Sequence, residues 1–163
     1  MISDIQIGGK PSPMSLAWLA ARKPPVARWS INILVVEDDP ADGALVMDAL
    51  KRHSDVASAH LASDPEAALK LLSTGSLQPD LVLLDINMPR VNGFVFAEQL
   101  RHHPMTIDTP VAFLTTSRHT RDIEAARQLD ICSYIVKPDS FADLQTRLDV
   151  VIRRVKSGAW SSK

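Results

Sequence analysis

Four short apolar runs in this chain each stop at polar residues that could take part in chemistry. The runs end on Glu37-Asp38, on Asp85, on Thr115 and on Lys137. Short apolar runs separated by helix-like segments are typical of buried parallel strands. In an open parallel sheet, ligands bind beyond the carboxyl ends of the strands. We therefore expect carboxylates, a hydroxyl and an ammonium to converge at one edge of one sheet.

The carboxylates of Glu37, Asp38 and Asp85 predict a cluster of hard oxygen ligands. Like charges held close together repel, and a divalent cation relieves that repulsion. Mg²⁺ prefers a few protein carboxylates together with a carbonyl and water, so Asp38 and Asp85 could bind it directly with help from the backbone carbonyl of Asn87. A solvated acidic strand end, in which Asp39 caps the next helix, explains these residues about equally well when they are taken alone.

Asp85 stands at the start of a loop that contains Pro89 and Gly93. A carboxylate can attack phosphorus and form an acyl phosphate, with a metal ion shielding the incoming charge. Lys137 could pair with a carboxylate or a phosphoryl oxygen, and Thr115 offers a hydroxyl donor. Each residue also has a plain structural interpretation: a turn former for Asp85, a surface lysine for Lys137, and a strand or capping residue for Thr115.

Between these residues the sequence alternates strand-like and helix-like segments. Pro40 suits a first helical turn, Ser63 or Asp64 suits a helix cap, and Gly75 suits a helix end. Five β-α units predict an α/β fold, a doubly wound five-stranded parallel sheet with helices on both faces. The predicted strands cover residues 32–37, 56–62, 80–85, 110–114 and 132–136, and the predicted helices cover 40–53, 64–73, 93–103, 119–129 and 139–156.

Composition narrows the function classes. The 163 residues carry a formal net charge of −1, which predicts no nucleic-acid or membrane partner. Cys132 is the only cysteine, so no intrachain disulfide can form. No apolar stretch approaches ~18 residues, and no signal-peptide pattern begins the chain. We therefore expect a cytoplasmic protein.

The two ends differ from the central segment. Residues 1–30 hold one acidic and four basic residues among several prolines and glycines, which predicts an N-terminal extension or arm. Trp18 and Trp29 favour docking of this arm, because large rings are usually buried. The domain is expected to cover residues 31–156, and residues 157–163 are expected to fray as a tail.

From about residue 31 to residue 155 the chain resembles the receiver domain of two-component response regulators. Each motif behind the resemblance is weak singly, but together, in the family's order and near its spacings, they are specific. The resemblance implies a flavodoxin-like fold with strand order 2-1-3-4-5. The motifs are Glu37-Asp38-Asp39, Asp85-x-x-Met88-Pro89-x-x-x-Gly93, Leu114-Thr115 and Lys137-Pro138.

The resemblance also implies roles for the acidic residues. Asp85 is implied to be the phosphoacceptor. Glu37 and Asp38 are implied to be the acidic pair around Mg²⁺, with Asp85 as a further ligand and Asn87 offering its carbonyl.

The other matched residues are implied to respond to the phosphoryl group. Thr115 would bond it and Lys137 would pair with it, and the Lys137–Pro138 peptide is implied to be cis. Tyr134 stands where receivers carry an aromatic switch residue, whose ring follows the threonine inward on phosphorylation. A half-buried edge-strand tyrosine is the plainer alternative.

One pair departs from the family's pattern. Many receivers carry Gly-Ala before strand five, where this chain has Asp130-Ile131. Asp tolerates a left-handed cap less well than Gly, and Ile131 adds bulk beside helix four and strand five. We expect the shape of that surface to differ, but not the fold.

We interpret the chain as a stand-alone receiver, because about 125 residues suffice for the domain and little is left for an output domain. The implied upstream partner is a histidine kinase or a phosphotransfer protein, and the stand-alone form is similar to regulators paired with phytochrome-type kinases. Output would then pass through protein contacts. The arm, or Val150 and Ile152 on helix five, are expected to complete a homodimer interface; packing of these residues on the chain's own body is the alternative.

Two other function classes stay open. One is a non-phosphorylated receiver-like scaffold, which would have no need of the intact acid, threonine and lysine set. The other is a phosphatase with Asp85 as nucleophile, which usually needs a general acid two residues later, where this chain has Asn87. We therefore expect no enzyme beyond self-phosphorylation from small donors and slow autodephosphorylation.

Overall fold

A computed structural model describes residues 30–160, which form one five-stranded sheet flanked by helices. The strand order is β2-β1-β3-β4-β5, and every strand pairs in parallel with its neighbour. The predicted fold class and strand order are confirmed, and each predicted element lies within two residues of its observed bounds. The elements are β1 (Ile31–Val36), α1 (Pro40–Lys51), β2 (Val56–Ala62), α2 (Pro65–Ser73), β3 (Leu81–Leu84), α3 (Gly93–His102), β4 (Val111–Thr115), α4 (Thr120–Gln128), β5 (Ser133–Val136) and α5 (Phe141–Lys156).

Both faces of the sheet are covered, because successive side chains of a strand point to opposite sides. In β1, Ile33 and Val35 join one core cluster, whereas Leu34 and Val36 join the other. The first cluster contains the buried apolar residues of α1 and α5, and the second contains those of α2, α3 and α4. This two-sided burial holds the strands in register and brings their carboxyl ends to one edge.

Helix α1 begins immediately beyond the carboxyl end of β1. The side chain of Asp39 accepts hydrogen bonds from the backbone N–H groups of Ala41 and Asp42, and Pro40 is the first helical residue. Such a cap satisfies N–H groups that have no partner within the helix. The capping interpretation of Asp39 is therefore confirmed, and Asp64 caps α2 in the same manner.

Helix α5 differs from the sequence interpretation at one residue. The sequence predicts Ile152 beyond the core stripe, but it is fully buried in the cluster of α1 and α5. The apolar face of α5 is wider than a single row spaced by three and four, so Ile152 packs beside Val151. Val150 is 61% exposed, and it alone of the proposed interface pair is open to solvent.

The Lys137–Pro138 peptide bond is trans, since residues 30–160 contain no cis peptide bond. The expectation of a cis bond is therefore wrong for this structure. Before proline the trans form is favoured by roughly 0.5–1 kcal/mol, and Lys137 reaches its carboxylate partners from the trans backbone.

The opposite edge of the sheet, at the amino ends of the strands, is held by two arginines. Asp130 has φ 51°, which is the left-handed conformation that the family's glycine would adopt. Arg101 donates from Nη2 to the Asp130 carbonyl oxygen at 3.0 Å and from Nη1 to the Thr109 carbonyl oxygen at 2.7 Å. Arg154 donates to the Cys132 carbonyl oxygen at 3.0 Å. The two arginines thus stabilise the turn between α4 and β5, in which Asp130 rather than glycine has the positive φ angle.

Trp160 packs on this same edge. Its half-buried ring contacts the core cluster of α1 and α5 and lies 5.6 Å from Cζ of Arg101. The expectation of a frayed tail does not hold as far as Trp160. The predicted arm, with Trp18 and Trp29, lies outside the described residues, as do residues 161–163.

No helix within residues 30–160 combines the length and the apolar character needed to cross a bilayer.

Candidate phosphoacceptor and metal site

Asp85 follows the last residue of β3 and is 6% exposed. The loop after it folds back, and the backbone N–H of Gly93 donates to the carbonyl oxygen of Ile86 at 3.0 Å. A Cβ atom at residue 93 would lie 2.4 Å from the Asp85 carbonyl oxygen and 2.7 Å from Ile86 Cα. Only glycine allows this approach, so the start of α3 fixes the position of the Asp85 backbone.

Three carboxylates meet at the carboxyl edge. One oxygen from each of Glu37, Asp38 and Asp85 can be chosen so that all lie within 4.8 Å of one another. Glu37 is 4% exposed, and Asp38 is half-buried. Such closely spaced hard oxygen donors suit a divalent cation of the Mg²⁺ type. The structure thus brings together the three predicted acidic ligands.

Lys137 lies among three carboxylates. Its Nζ donates to Glu37 Oε2 at 2.6 Å, to Asp42 Oδ2 at 2.7 Å and to Asp85 Oδ2 at 3.2 Å. An ammonium group has three N–H donors, so each of them has one carboxylate partner. The predicted pairing of Lys137 with an acid is therefore present, with Asp42 as an additional partner.

Burial and charge shift the pKa values of this group in opposite senses. Burial, reinforced by the negative charge of Asp85, raises the pKa of Glu37 to about 7, although the hydrogen bond from Lys137 acts against the shift. Burial lowers the pKa of Lys137, but its hydrogen bonds to Asp42 and Glu37 outweigh burial and raise it overall. The ammonium is thus firmly charged, while the acids around it carry more negative charge than one lysine can balance.

Thr115 ends β4 and is fully buried. Its Oγ accepts a hydrogen bond from the side-chain amide of Asn87 at 3.3 Å and one from the backbone N–H of Ser117 at 3.2 Å. Asn87 is exposed, and its backbone N–H donates to Asp85 Oδ1 at 3.2 Å. The predicted Asn87 and Thr115 therefore lie beside Asp85 and contact each other. The role of the Asn87 carbonyl as a metal ligand stays a prediction.

Tyr134, on β5, is half-buried beside the loop after β4. Its ring packs edge-on against Phe113, with centroids 6.2 Å apart and planes at 69°. Its hydroxyl donates to the carbonyl oxygen of Ser117 at 3.1 Å. Since Ser117 also donates its N–H to Thr115, hydrogen bonds connect the predicted switch residue to the predicted phosphoryl-binding threonine.

An open polar groove lies beside the acidic pocket. It runs between the loop after β3 and the loop after β4 and includes Asn87, Thr116 and Ser117 in its wall. Asn87, whose backbone N–H donates to Asp85, is exposed in this groove.

The sequence interpretation missed Asp42. A usable signal was present, because Asp42 lies in the first turn of the helix that starts at the carboxyl end of β1. A residue there faces the same edge as Glu37 and Asp38. The helix pattern could not reveal that its carboxylate reaches Lys137, 95 residues away along the chain.

Comparison with known proteins agrees with the sequence resemblance. Residues 33–149 match the family model of the response regulator receiver domain. The probable methanogenesis regulatory protein FilR2 of Methanothrix harundinacea is 33% identical over 123 residues, 73% of this chain and 79% of that protein. Response regulator Rcp1 of Synechocystis is 32% identical over 69% of this chain and 80% of its own length. A probable cyclic di-GMP phosphodiesterase of Vibrio cholerae is matched over only 27% of its length.

Solved structures give the same fold. The crystal structure of the phosphorylated cyanobacterial phytochrome response regulator RcpA has a TM-score of 0.71 and 26% identity, covering 82% of this chain and 99% of the other. The Mn²⁺-bound form of response regulator Rcp1 has a TM-score of 0.65 and 28% identity, covering 82% and 96%.

Proposed function

The chain belongs to the response regulator receiver family of two-component signalling. On that premise we propose that Asp85 is its phosphoacceptor. The observation that carries the proposal is the buried position of Asp85, with Lys137 Nζ at 3.2 Å and the carboxylates of Glu37 and Asp38 beside it. This arrangement gives a nucleophilic oxygen, a cation for the transferred group, and oxygen ligands for a metal.

In the proposed reaction, a carboxylate oxygen of Asp85 attacks the phosphorus of a phosphohistidine. The new oxygen–phosphorus bond forms as the phosphorus–nitrogen bond breaks. The leaving ring nitrogen takes the electron pair of the broken bond, and the proton already on the other ring nitrogen stays there, so the histidine leaves as a neutral imidazole. Lys137 neutralises one phosphoryl oxygen, and the Thr115 hydroxyl turns from its present partners to donate to another. Mg²⁺ held by Glu37, Asp38 and Asp85 would shield the phosphoryl charge.

Residue 87 limits the later fate of the acyl phosphate. An acid two residues after the nucleophile could protonate a leaving group, but the side-chain amide of Asn87 cannot serve in that role. We infer that the acyl phosphate is lost only slowly and that external phosphate esters are not turned over.

The signal would leave the pocket through β4 and β5. When Thr115 turns toward a phosphoryl group, its bond from the Ser117 N–H must change, and Tyr134 is bonded to the carbonyl of that same serine. A local charge event can thereby bias the position of an aromatic side chain at the surface.

The direct test is incubation with acetyl phosphate and Mg²⁺ and then intact-mass measurement. We expect one added phosphoryl group in the wild-type protein and none in Asp85→Asn. Asp48→Asn is a matched control, because Asp48 is an acid outside the pocket that pairs with Arg52 on α1. Addition that persists in Asp85→Asn would refute the assignment.

The alternative of a constitutive scaffold makes the opposite prediction. The wild-type protein would then take up no phosphoryl group from acetyl phosphate or from any kinase. A protein that binds its partner equally well with and without Asp85 would also favour the scaffold.

For the donor we propose a histidine kinase of the phytochrome type, with another histidine kinase or a phosphotransfer protein as the alternative. Support comes from the cyanobacterial phytochrome response regulator RcpA, whose structure is similar to that of this chain. A phosphotransfer profile against the histidine kinases of the same genome should show the fastest transfer from a phytochrome-type kinase. Efficient transfer only from an unrelated kinase would remove this proposal.

We also propose a homodimer that uses the exposed face of α5. Val150 is 61% exposed on that helix, so its side chain is free to enter a subunit contact. Light scattering should give a dimer mass for the full chain and a monomer mass for Val150→Glu. A monomeric wild-type protein would contradict the proposal.

A further inference from the structure

Asp42 contacts the lysine of the pocket but stands outside the group of three acids that could hold a metal. Its Oδ2 lies 2.7 Å from Lys137 Nζ, and its side chain is 36% exposed. Within residues 30–160, the acids that form a possible metal group are Glu37, Asp38 and Asp85. Asp42 therefore acts on the pocket through Lys137.

The three contacts of Lys137 are unequal. Nζ lies 2.6 Å from Glu37 and 2.7 Å from Asp42, but 3.2 Å from Asp85. The ammonium thus lies closer to the carboxylates of β1 and α1 than to the acceptor, although it contacts all three. A charge-assisted hydrogen bond at 2.7 Å is closer to its optimal length than one at 3.2 Å.

A phosphoryl group on Asp85 would need one of the three Lys137 donors. All three are already used. The donor on Asp85 can pass to a phosphoryl oxygen, but a closer approach of Lys137 to the new oxygens lengthens its bonds to Glu37 and Asp42. Glu37 is buried, and its carboxylate cannot lose its cation without a large desolvation penalty. Asp42 is partly exposed and can turn to water, so it is the contact that governs the exchange.

We propose that Asp42 is a positioning residue that draws Lys137 toward α1, limits its approach to a phosphoryl group on Asp85 and thereby restrains phosphorylation. This inference rests on the proposed function, because it concerns the same acceptor. Asp42 competes with the incoming phosphoryl group for one N–H of Lys137, and its removal frees that donor.

The test compares Asp42→Asn with the wild-type full chain at limiting acetyl phosphate and saturating Mg²⁺. We expect the rate constant for phosphoryl uptake to rise roughly threefold to tenfold, in keeping with the loss of a partly exposed ion pair. Asp42→Glu restores a carboxylate and should return the rate toward the wild-type value. An unchanged or lower rate in Asp42→Asn overturns the proposal.

Asp39→Asn is the matched control. It removes one negative charge from the same edge, keeps a side chain that can cap α1, and Asp39 makes no ion pair with Lys137 among the described contacts. We expect its rate to stay within about twofold of wild type. An equal acceleration in Asp39→Asn would show a general charge effect and would overturn the positioning role.

A second readout monitors Lys137 directly. Acetylation of Lys137 by an activated acetate ester, measured by peptide mass spectrometry, should be faster in Asp42→Asn and unchanged in Asp39→Asn. A purely structural role of Asp42 would lower the unfolding temperature without this selective increase. Equal acetylation in the wild-type protein and Asp42→Asn would count against the proposal.

Different outcomes would refute the proposed function and the positioning role of Asp42. If wild-type protein takes up no phosphoryl group, the proposed function falls and this inference falls with it. If wild-type Asp85 is phosphorylated but Asp42→Asn reacts at the same rate, only the positioning role of Asp42 is lost.

Discussion

The two edges of the sheet both contain charged side chains that are partly removed from water, but they balance those charges differently. At the carboxyl edge, Glu37, Asp42 and Asp85 surround the single cation of Lys137. At the amino edge, Arg101 instead binds the neutral backbone carbonyls of Thr109 and Asp130.

This difference separates a reactive site from a structural one. At the carboxyl edge, burial reinforced by the negative charge of Asp85 raises the pKa of Glu37, and a bound cation would offset the excess of negative charge. The guanidinium of Arg101 is instead paired with two neutral carbonyl oxygens, and its buried Nε has no hydrogen-bond partner among the described residues. The carboxyl edge should therefore lose function when altered, and the amino edge should lose stability.

The largest effect is expected from Arg101→Ala. The substitution leaves the carbonyls of Thr109 and Asp130 without their donor and removes the guanidinium beside Trp160, so the free energy of unfolding should fall by about 2–4 kcal/mol. Urea denaturation measures the loss. Arg147→Ala, at an exposed arginine with one longer bond to the Val136 carbonyl, should cost less than about 1 kcal/mol. Equal losses of unfolding free energy in Arg101→Ala and Arg147→Ala would contradict a structural role for Arg101 at the amino edge.

A smaller effect is expected from Glu37→Gln, and its sign depends on pH. The pKa of Glu37 is about 7 in the folded chain and 4.5 without its surroundings. Its neutral form therefore adds stability that is complete below pH 4.5 and is lost as the pH rises through 7. In metal-free protein at pH 8, Glu37→Gln should be more stable than wild type by roughly 1–3 kcal/mol, and this advantage should shrink toward pH 5.

The control for this prediction is Glu98→Gln, which changes an exposed acid of α3. Its effect on unfolding temperature should be small at both pH values. Excess Mg²⁺ at pH 8 should stabilise the wild-type protein more than Glu37→Gln, because the variant lacks one carboxylate. A Glu37→Gln variant that is less stable than wild type at pH 8 without metal would contradict the inference that burial and the charge of Asp85 destabilise the ionised form of Glu37.

The smallest effect is expected from Asp130→Gly. Asp130 has φ 51°, a conformation that glycine adopts without a Cβ penalty, so the variant should gain about 0.5–1 kcal/mol. Asp139→Gly is a suitable control, because Asp139 is exposed and does not have a positive φ; there the added backbone freedom should cost stability. Destabilisation by Asp130→Gly would mean that the Asp130 side chain itself is needed at the turn.

The architecture could be predicted from sequence because its causes are local and repeated. The apolar runs of β1, β3 and β4 are buried along their whole length, which is why they stand out from the amphipathic helices. The caps Asp39 and Asp64 marked two helix starts. The convergence of Glu37, Asp38 and Asp85 could be inferred from topology alone, since parallel strands place their carboxyl ends at one edge.

The missed features depend on contacts between distant parts of the chain. Asp42 meets Lys137 only after β5 is placed near α1, and Trp160 meets Arg101 only after α5 has crossed the sheet. Ile152 lies outside a regular apolar row spaced by three and four, but the apolar face of α5 is wide enough to bury it in the core. The isomer of the Lys137–Pro138 bond has no local sequence determinant beyond proline itself.

The close approach of Gly93 to the backbone of Asp85 restricts movement of Asp85, the proposed acceptor. The backbone of Asp85 and the first turn of α3 are packed so closely that no room is left for a methyl group between them. In a response to phosphorylation, the backbone of Asp85 should therefore stay in place. The side chains that end β4 and β5 should be the ones that move. A partner that shifts α3 would change the reactivity of the acceptor itself, whereas one that binds near β5 would sense only the outcome.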